Sequence, residues 1–190
     1  MHFTLADLVT DITQNGIEAN ASLVELEVTD GSLHRSGGEF RFVVKDNGKG
    51  MTEEELKRAI DPFVTDGIKH PNRKVGLGLP FLIQTAMQSN GGWDIKSEKG
   101  KGTTVTGWFD SENVDTPPVG NIMGMFRTIL MFDDKAEVII RRKKMKDGVV
   151  VDEYEIIKSE LVDALGSLED AGSLVLLRDY LKSLENNEEM

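Results

Sequence analysis

Apolar residues along this chain recur at two spacings, and each spacing predicts one kind of element. Between residues 4 and 21 they recur every three to four positions, which predicts a helix with one apolar stripe. Residues 23–29 (LVELEVT) alternate between apolar and polar side chains, which predicts a strand with one face in solvent. The same reasoning predicts further helices at 52–60, 80–90, 121–132, 158–165 and 171–184, and further strands at 40–45, 93–97, 103–109, 136–144 and 149–156.

Glycine and proline separate these elements and indicate how the chain is divided. Asp147-Gly148 predicts a tight hairpin turn between the last two strands. A long loop is expected at 61–75, and loops of that length tend to be functional or mobile. Residues 111–120, with two adjacent prolines, predict a linker. We therefore expect two parts, a domain at 1–110 and a small α/β extension at 121–190.

The extension leaves three questions open. Its hairpin either extends the sheet of the first part or folds as a separate lobe. The basic run from Arg141 to Lys144 predicts a solvated strand face that protects a sheet edge, with a contact role as the alternative. The last predicted helix carries leucines at helical spacing, for which packing into the core is expected and a dimer face is the alternative. These leucines are Leu174, Leu177, Leu181 and Leu184.

Composition narrows the class of protein. The 190 residues carry a net charge of −11, which argues against a nucleic-acid partner because phosphate contacts need a basic surface. There is no cysteine and the three histidines are scattered, so neither thiol chemistry nor a multi-histidine metal site is expected. No stretch approaches the roughly 18 apolar residues of a membrane span, and the first residues do not resemble a signal peptide. We expect a cytoplasmic protein with no membrane partner.

Polar residues of the first predicted helix lie along one side of it. Asp7, Asp11, Asn15 and Glu18 are spaced four, four and three positions apart, so they form a row. Asn15 offers a neutral oxygen of the kind that suits Mg²⁺, and Asp11, one turn earlier, can orient or deprotonate a nucleophile. Gly16 conflicts with this helix, because glycine there costs about 1 kcal/mol relative to alanine. Close approach of another group to the helix surface would explain it.

A second candidate feature is the end of the strand predicted at 40–45, where the chain continues as DNGKGMTEEEL. Gly48 and Gly50 allow a tight connection, and Thr52 with Glu55 forms a capping box that opens the next helix. This arrangement fits a simple turn. It also fits a ligand site, in which Asp46 accepts a hydrogen bond from an exocyclic amine and the glycines let the ligand approach.

Two further glycine-rich segments favour the ligand site. VGLGLP (75–80) opens a predicted helix, and its glycines would expose N–H groups at the positive helix end, where proteins hold phosphate. GKGTTV (100–105) leads into a predicted strand. Each motif alone is weak evidence for a ligand site, but the three together are better explained by one site than by separate turns.

In order and spacing these motifs resemble the GHKL superfamily of ATP-binding domains, which includes gyrase B, the MutL mismatch-repair ATPase, the ninety-kilodalton heat-shock chaperone and sensor histidine kinases. DITQNGIEANAS (11–22) resembles its N box as MutL has it, and DNGKGM resembles its first glycine box. Residues 61–105 resemble the histidine-kinase version, with a lid, a second glycine box and a final glycine motif. The resemblance covers residues 5–109. It implies an α+β protein with the Bergerat fold, a two-layer α/β sandwich that holds ATP between the helices and the lid.

The resemblance also implies a role for each matching residue. Asn15 would hold Mg²⁺, and Asp46 would bind the adenine amine with help from the Thr104 hydroxyl. Asp11 would stand at the position of the catalytic base, and residues 63–75 would form the lid. The implied ATP-binding residues are Asn15, Asp46, Gly48, Gly50, Met51, Gly76, Leu77, Gly78, Leu79 and Thr104, with Lys69, His70, Arg73 and Lys74 of the lid as candidate phosphate partners.

Departures from the family pattern bear on activity. The usual catalytic glutamate is Asp11 here, which is shorter by one CH₂ and argues against fast hydrolysis. Pro80 cannot donate a hydrogen bond to phosphate, and Val75 replaces a small polar residue. No histidine of this sequence lies in a helical hairpin ahead of the motifs, so phosphorylation of its own histidine is not expected.

These features together predict a Mg²⁺-dependent ATP-binding protein. We expect a slow ATPase or a kinase that acts on a partner protein, rather than an autonomous sensor histidine kinase. An ATP-gated interaction module with little turnover is the alternative, and a third hypothesis is an interaction protein that keeps the fold without the nucleotide. The extension or the lid would contact the protein partner, and a homodimer is left open.

Overall fold

The computed structural model describes residues 3–34, 37–61, 78–132, 135–168 and 170–185. Their helices are α1 (Leu5–Glu18), α2 (Glu53–Ile60), α3 (Gly78–Gln88), α4 (Ile122–Leu130), α5 (Lys158–Leu165) and α6 (Ala171–Glu185). Their strands are β1 (Leu23–His34), β2 (Gly37–Asp46), β3 (Gly92–Glu98), β4 (Gly102–Asp110), β5 (Glu137–Lys146) and β6 (Val149–Ile157). None of these helices is long and apolar enough to cross a membrane.

The strands of the described residues form one sheet in the order β3-β4-β2-β1-β5-β6. β1 and β5 run parallel, and all other neighbours are antiparallel. On one face, alternate side chains such as Val24, Phe42 and Ile140 are fully buried in a core shared with the helices. The other face carries mostly charged and polar side chains. The expected two-layer α/β sandwich of the α+β class is therefore confirmed.

β1 and β2 are longer than the sequence predicts. The sequence predicted strands at 23–29 and 40–45, but pairing of Asp30 with Phe40 and of Gly31 with Glu39 continues the ladder beyond both. Backbone hydrogen bonds extend a strand pair without any apolar alternation, and alternation was the only signal that the prediction used.

The C-terminal part extends the main sheet and does not form a separate lobe. β5 pairs with β1 along most of its length, and its buried side chains belong to the same core. The predicted linker is also held in place, since the amides of Leu5 and Ala6 donate hydrogen bonds to the carbonyls of Pro118 and Val119 at 3.0 and 2.9 Å. The domain boundaries expected near 110 and 120 stay predictions.

Two expectations about the extension hold. Asp147 and Gly148 both have positive φ, at 51° and 78°, which is the backbone that a tight two-residue hairpin turn requires. Leu177 and Leu181 of α6 are 0 % and 2 % exposed and pack into the core. These two leucines are therefore core contacts, and Leu184 packs partly against the same core.

The basic run on β5 does not protect a sheet edge, contrary to the prediction. β5 lies between β1 and β6, so successive members of the run face opposite sides of a central strand. Arg141 is on the open face, where it pairs with Glu25 and Glu155 at 2.9 and 2.7 Å. The place of a strand in a sheet depends on pairing with distant segments, which the local pattern does not encode.

Arg142 points instead into the helix layer, where only 4 % of its side chain is exposed. It donates hydrogen bonds to Asp30 at 3.2 Å and to Glu185, the last residue of α6, at 3.3 Å. The Lys144 ammonium donates a hydrogen bond to the backbone carbonyl of Glu185 at 2.9 Å. The Tyr154 hydroxyl donates one to the Glu185 carboxylate. Burial and the neighbouring Glu185 carboxylate raise the pKa of Tyr154, so its hydroxyl stays protonated. These contacts fasten the end of α6 to the sheet.

Removing Arg142 would take away the buried cation that pairs with Asp30 and would leave Glu185 with only the more distant Lys144 ammonium, at 3.8 Å. We expect Arg142→Ala to lower the free energy of unfolding by about 3 kcal/mol. Arg141→Ala is the matched control, because its ion pairs lie on the open face and such pairs contribute about 1 kcal/mol or less. Urea unfolding measures both variants. Equal losses would show that the buried pairs do not hold α6.

Candidate functional site

A cavity of about 220 Å³ lies at one end of the sheet, where β2 ends and α3 begins. The end of β2, the start of β4 and one side of α1 line it, and α2, α3 and the loop after β2 complete it. Its polar side chains among the described residues are those of Asn15, Asp46, Lys49 and Thr103. The other lining residues are Ile12, Gly16, Ala19, Val44, Gly50, Met51, Ala59, Leu79 and Val105.

Asp46, the last residue of β2, is 7 % exposed. Its Oδ1 atom accepts a hydrogen bond from the Gly48 amide at 2.8 Å. Burial raises the pKa of Asp46, and hydrogen bonds from the backbone amides of Gly48 and Thr103 act in the opposite direction. The outcome is a carboxylate that lines a largely apolar cavity and has acceptor capacity left over.

Gly16 allows α1 to approach this carboxylate closely. A Cβ atom at residue 16 would lie 3.3 Å from Cβ of Asp46 and 3.5 Å from its Oδ2. The glycine therefore keeps the space beside Oδ2 free of side chain. Close approach was the explanation expected from the sequence, and the structure identifies Asp46 as the group that approaches.

The loop that follows β2 is fixed by hydrogen bonds and backbone geometry. Asn47 Oδ1 accepts hydrogen bonds from the amides of Ser22 and Leu23 at 2.9 and 3.0 Å. Gly50 has φ of +56°, and a Cβ atom there would lie 2.0 Å from the carbonyl oxygen of Glu98. The sequence analysis did not predict this role of Asn47. The only local indication is that an asparagine side chain at the end of a strand often hydrogen-bonds nearby backbone groups.

The first turn of α3 lies beside the polar row of α1. A Cβ atom at Gly78 would lie 3.3 Å from Nδ2 of Asn15 and 3.8 Å from Cβ of Asp11. The first N–H groups of a helix have no partner within it and carry partial positive charge. The amides of Gly78 and Leu79 can therefore donate to an anion at this end of the cavity, whereas Pro80 has no N–H.

The structure brings the described members of the predicted site together, with one exception. Gly48 lies behind Asp46 as its hydrogen-bond donor, and Asp11 and Gly78 lie next to Asn15. Those that line the cavity are Asn15, Asp46, Gly50, Met51 and Leu79. Outside the described residues lie Gly76, Leu77 and the lid at 63–75 with its Lys69, His70, Arg73 and Lys74.

The exception is Thr104, and the prediction for it was off by one residue. Thr104 pairs with Lys45 and Lys96 on the open face of the sheet. Thr103 pairs directly with Asp46 and lines the cavity in its place. Side chains alternate along a strand, so a shift of one residue reverses the face. Adjacent threonines give no local sign of which one points inward.

Comparison with known proteins identifies the family. Residues 3–113 match the family of histidine kinase-, DNA gyrase B- and HSP90-like ATPases. The match spans more than half of the chain, so this chain belongs to that family, and the GHKL resemblance of its motifs is confirmed.

Similar proteins include both kinases and repair proteins. Sporulation kinase C of Bacillus subtilis is 32% identical over 99 residues, which are 52% of this chain and 22% of that protein. The DNA mismatch repair protein MutL of Thermus aquaticus is 33% identical over 75 residues, which are 40% of this chain and 13% of that protein. The chain thus spans less than a quarter of the length of these relatives. A crystal structure of the N-terminal domain of a DNA repair protein superposes with a TM-score of 0.48 at 15% identity, covering 90% of this chain and 58% of the other.

The buried carboxylate should lower stability at neutral pH. Because burial raises the folded-state pKa of Asp46, the folded protein holds this proton more tightly than the unfolded chain, and the charged form carries a cost. We expect Asp46→Asn to raise the free energy of unfolding at neutral pH. The gain should shrink as the pH falls through the raised pKa towards the ordinary value of 3.8.

Denaturant unfolding across this pH range measures the effect. Asp94→Asn, on the open face with 51% of the aspartate side chain exposed, is the matched control and should change stability by less than about 0.5 kcal/mol. A loss of stability in Asp46→Asn at neutral pH would contradict the expected cost of the buried charge.

Proposed function

We propose that this chain binds ATP with Mg²⁺ in the cavity at Asp46 and transfers the terminal phosphoryl group slowly, either to water or to a partner protein. One observation carries the proposal: a buried carboxylate faces a cavity whose other walls are mostly apolar. Such a carboxylate accepts hydrogen bonds from the exocyclic amine of adenine, and the apolar walls suit the flat ring. The family match supports an adenine nucleotide as the ligand.

The first turn of α3 is our candidate for the phosphate site. Its first amides belong to Gly78 and Leu79, and the helix end adds a favourable partial charge. Leu79 lines the same cavity as Asp46, so one ligand can meet both groups. A nucleotide with its base at Asp46 and its phosphates at α3 fits this arrangement.

Asn15 fits a magnesium ion that arrives with the nucleotide. Within the described part of the chain no cluster of three or more histidine, aspartate or glutamate side chains could hold a metal by itself. Mg²⁺ in phosphate sites takes few protein ligands, keeps several waters and uses phosphate oxygens for the rest. The Asn15 amide oxygen would be the protein ligand, and the ion would supply charge neutralisation at the phosphates.

Asp11 is the candidate for orienting or deprotonating the attacking group. It lies one helical turn before Asn15 and next to Gly78, at the proposed phosphate end of the cavity. A glutamate is usual in the family, and the shorter aspartate places its carboxylate further from the reaction centre. Slow turnover follows from that difference.

We also propose a cytoplasmic location and a protein partner, contacted through the lid or the C-terminal extension. The net charge of −11 supports a protein rather than a nucleic acid, because phosphate backbones repel an acidic surface.

The first test is titration calorimetry of ADP and ATP with Mg²⁺. We expect micromolar binding to the unaltered protein, and at least tenfold weaker binding to Asp46→Asn, since a hydrogen bond to a charged group contributes about 1.5–3 kcal/mol. Asp94→Asn is the control and should bind as the unaltered protein does. Equal affinity of Asp46→Asn and the unaltered protein would rule out Asp46 as the adenine acceptor.

The second candidate function is an ATP-gated interaction module with little turnover, and the shorter acidic side chain of Asp11 is the observation that favours it. Under this function the nucleotide closes the site and a partner docks, without phosphoryl transfer as the designed step.

Substitutions on α1 separate the two functions. If Asp11 takes part in phosphoryl transfer, Asp11→Asn should lower kcat by about 100-fold with little change in ATP affinity, and Asp11→Glu should raise it. Asn15→Ala should abolish the Mg²⁺ dependence of ATP binding in either case. Phosphate release and nucleotide titration measure these effects. Unchanged turnover in both Asp11 variants would favour the gated module.

A further inference from the structure

The wall of the cavity at Gly50 and Met51 is held from outside by the end of the β3–β4 hairpin. Both residues line the cavity. On one side of Gly50, the carbonyl of Lys49 accepts a hydrogen bond from the Gly100 amide at 2.8 Å. On the other side, the Met51 amide donates one to the Ser97 hydroxyl oxygen, also at 2.8 Å. The hairpin therefore fixes the backbone on both sides of this wall.

The two anchors of the wall differ in kind. The bond between Gly100 and Lys49 joins two backbone groups, so no side chain takes part in it. The anchor at Met51 depends on one side chain, because within the described residues the Ser97 hydroxyl is the only acceptor of this amide. A backbone N–H can only donate, so Ser97 accepts this bond whichever way its separate 2.8 Å bond to the Thr103 hydroxyl is directed.

Loss of the Met51 anchor would loosen the wall without removing a ligand contact, since Ser97 is not among the described residues that line the cavity. The residue after Met51 caps α2, and Ala59 of α2 also lines the cavity. An amide that loses its acceptor favours backbone conformations in which it reaches water. The free protein would then have the wall in place for only part of the time, and a ligand that needs the wall would bind only that fraction.

We propose that Ser97 is a positioning residue of the candidate nucleotide site: its hydroxyl oxygen holds the Met51 amide and so keeps the Gly50–Met51 wall preformed for the base. The inference rests on the proposed nucleotide site, and it adds a residue that speeds binding without touching the ligand. A preformed wall raises the fraction of the protein that can bind. It therefore acts on the association rate constant and leaves the dissociation rate constant nearly unchanged.

Hydrogen exchange at the Met51 amide, followed by NMR without nucleotide, tests the anchor itself. We expect Ser97→Ala to speed this exchange about tenfold, the effect of losing one neutral hydrogen bond. Ser97→Thr keeps the acceptor and should leave the exchange slow. Thr103→Val removes the neighbouring hydroxyl but not the acceptor, and it should also leave the exchange slow.

Stopped-flow binding tests the effect on the site, with Mg²⁺ and ADP that carries a fluorescent group on its ribose as the probe. We expect Ser97→Ala to lower the association rate constant about three- to tenfold and to change the dissociation rate constant by less than about twofold. Ser97→Thr should restore the association rate constant. Ser89→Ala is the matched control, because its buried hydroxyl donates to carbonyls of α3 and should change neither rate constant.

A second substitution covers the case in which Ser97→Ala does not fold. Ser97→Cys fills the space of the hydroxyl, but sulfur is a weak acceptor. It should therefore speed exchange at Met51 and slow ADP association as Ser97→Ala does.

The outcomes are distinct. Unchanged exchange at Met51 in these variants would overturn the inference, and so would faster exchange with an unchanged association rate constant. A change confined to the dissociation rate constant would contradict it too, because that result indicates a direct ligand contact. Failure of the unaltered protein to bind ADP in calorimetry would instead overturn the proposed function, and the inference with it.

Discussion

The carboxylate of Asp46, buried at the end of β2, is the constraint that explains most of the surrounding sequence. Removing a charge from water is costly unless hydrogen bonds compensate, and the amides of Gly48 and Thr103 offset part of that cost. A bond from residue 48 to its own strand end requires a tight loop, and the positive φ of Gly50 completes the turn. Gly16 lets α1 pack against the carboxylate without covering it. Gly16 and Gly48 thus leave room for the buried carboxylate, whereas Gly50 is required by its positive φ and by the nearby carbonyl of Glu98.

The same strand ends connect the cavity to the C-terminal extension. Val24 of β1 pairs with Asp46 on one side and with Val138 of β5 on the other. A single central strand therefore separates the candidate base site from the extension. The buried contacts of Arg142 with Glu185 then fix α6 over β5. We infer that the extension is a structural continuation of the nucleotide-binding layer, since neither the sheet nor the core is interrupted between them.

Local pattern predicted the elements well and their arrangement poorly. Spacing placed most helices and strands within a few residues, because it depends on contacts close in sequence. The residues around Asp46 were proposed instead from the resemblance of the motif set to a known family. Arg142 was misplaced because its burial follows from the parallel pairing of β5 with β1, which joins segments about a hundred residues apart. Thr104 was chosen over Thr103 because the phase of a strand with adjacent threonines is set only by its partners. A glycine at position 16 is unusual inside a helix, which the sequence alone shows, but only the fold shows that Asp46 lies beside it.

The two ends of the cavity differ in how deeply their acidic side chains are buried. At one end, Asp46 is buried, paired across strands with Thr103 and hydrogen-bonded to backbone, and the hydroxyls of Thr103 and Ser97 share a hydrogen bond beside it. At the end formed by α3, Asp11 lies on the exposed side of α1 beside Gly78, with a side chain one methylene shorter than glutamate. Rigid positioning favours selective binding, whereas rapid phosphoryl transfer requires the base to be held within a fraction of an ångström of its productive place. Under the proposed function, a buried carboxylate at one end and a shortened acid on α1 at the other favour selective nucleotide binding over rapid phosphoryl transfer.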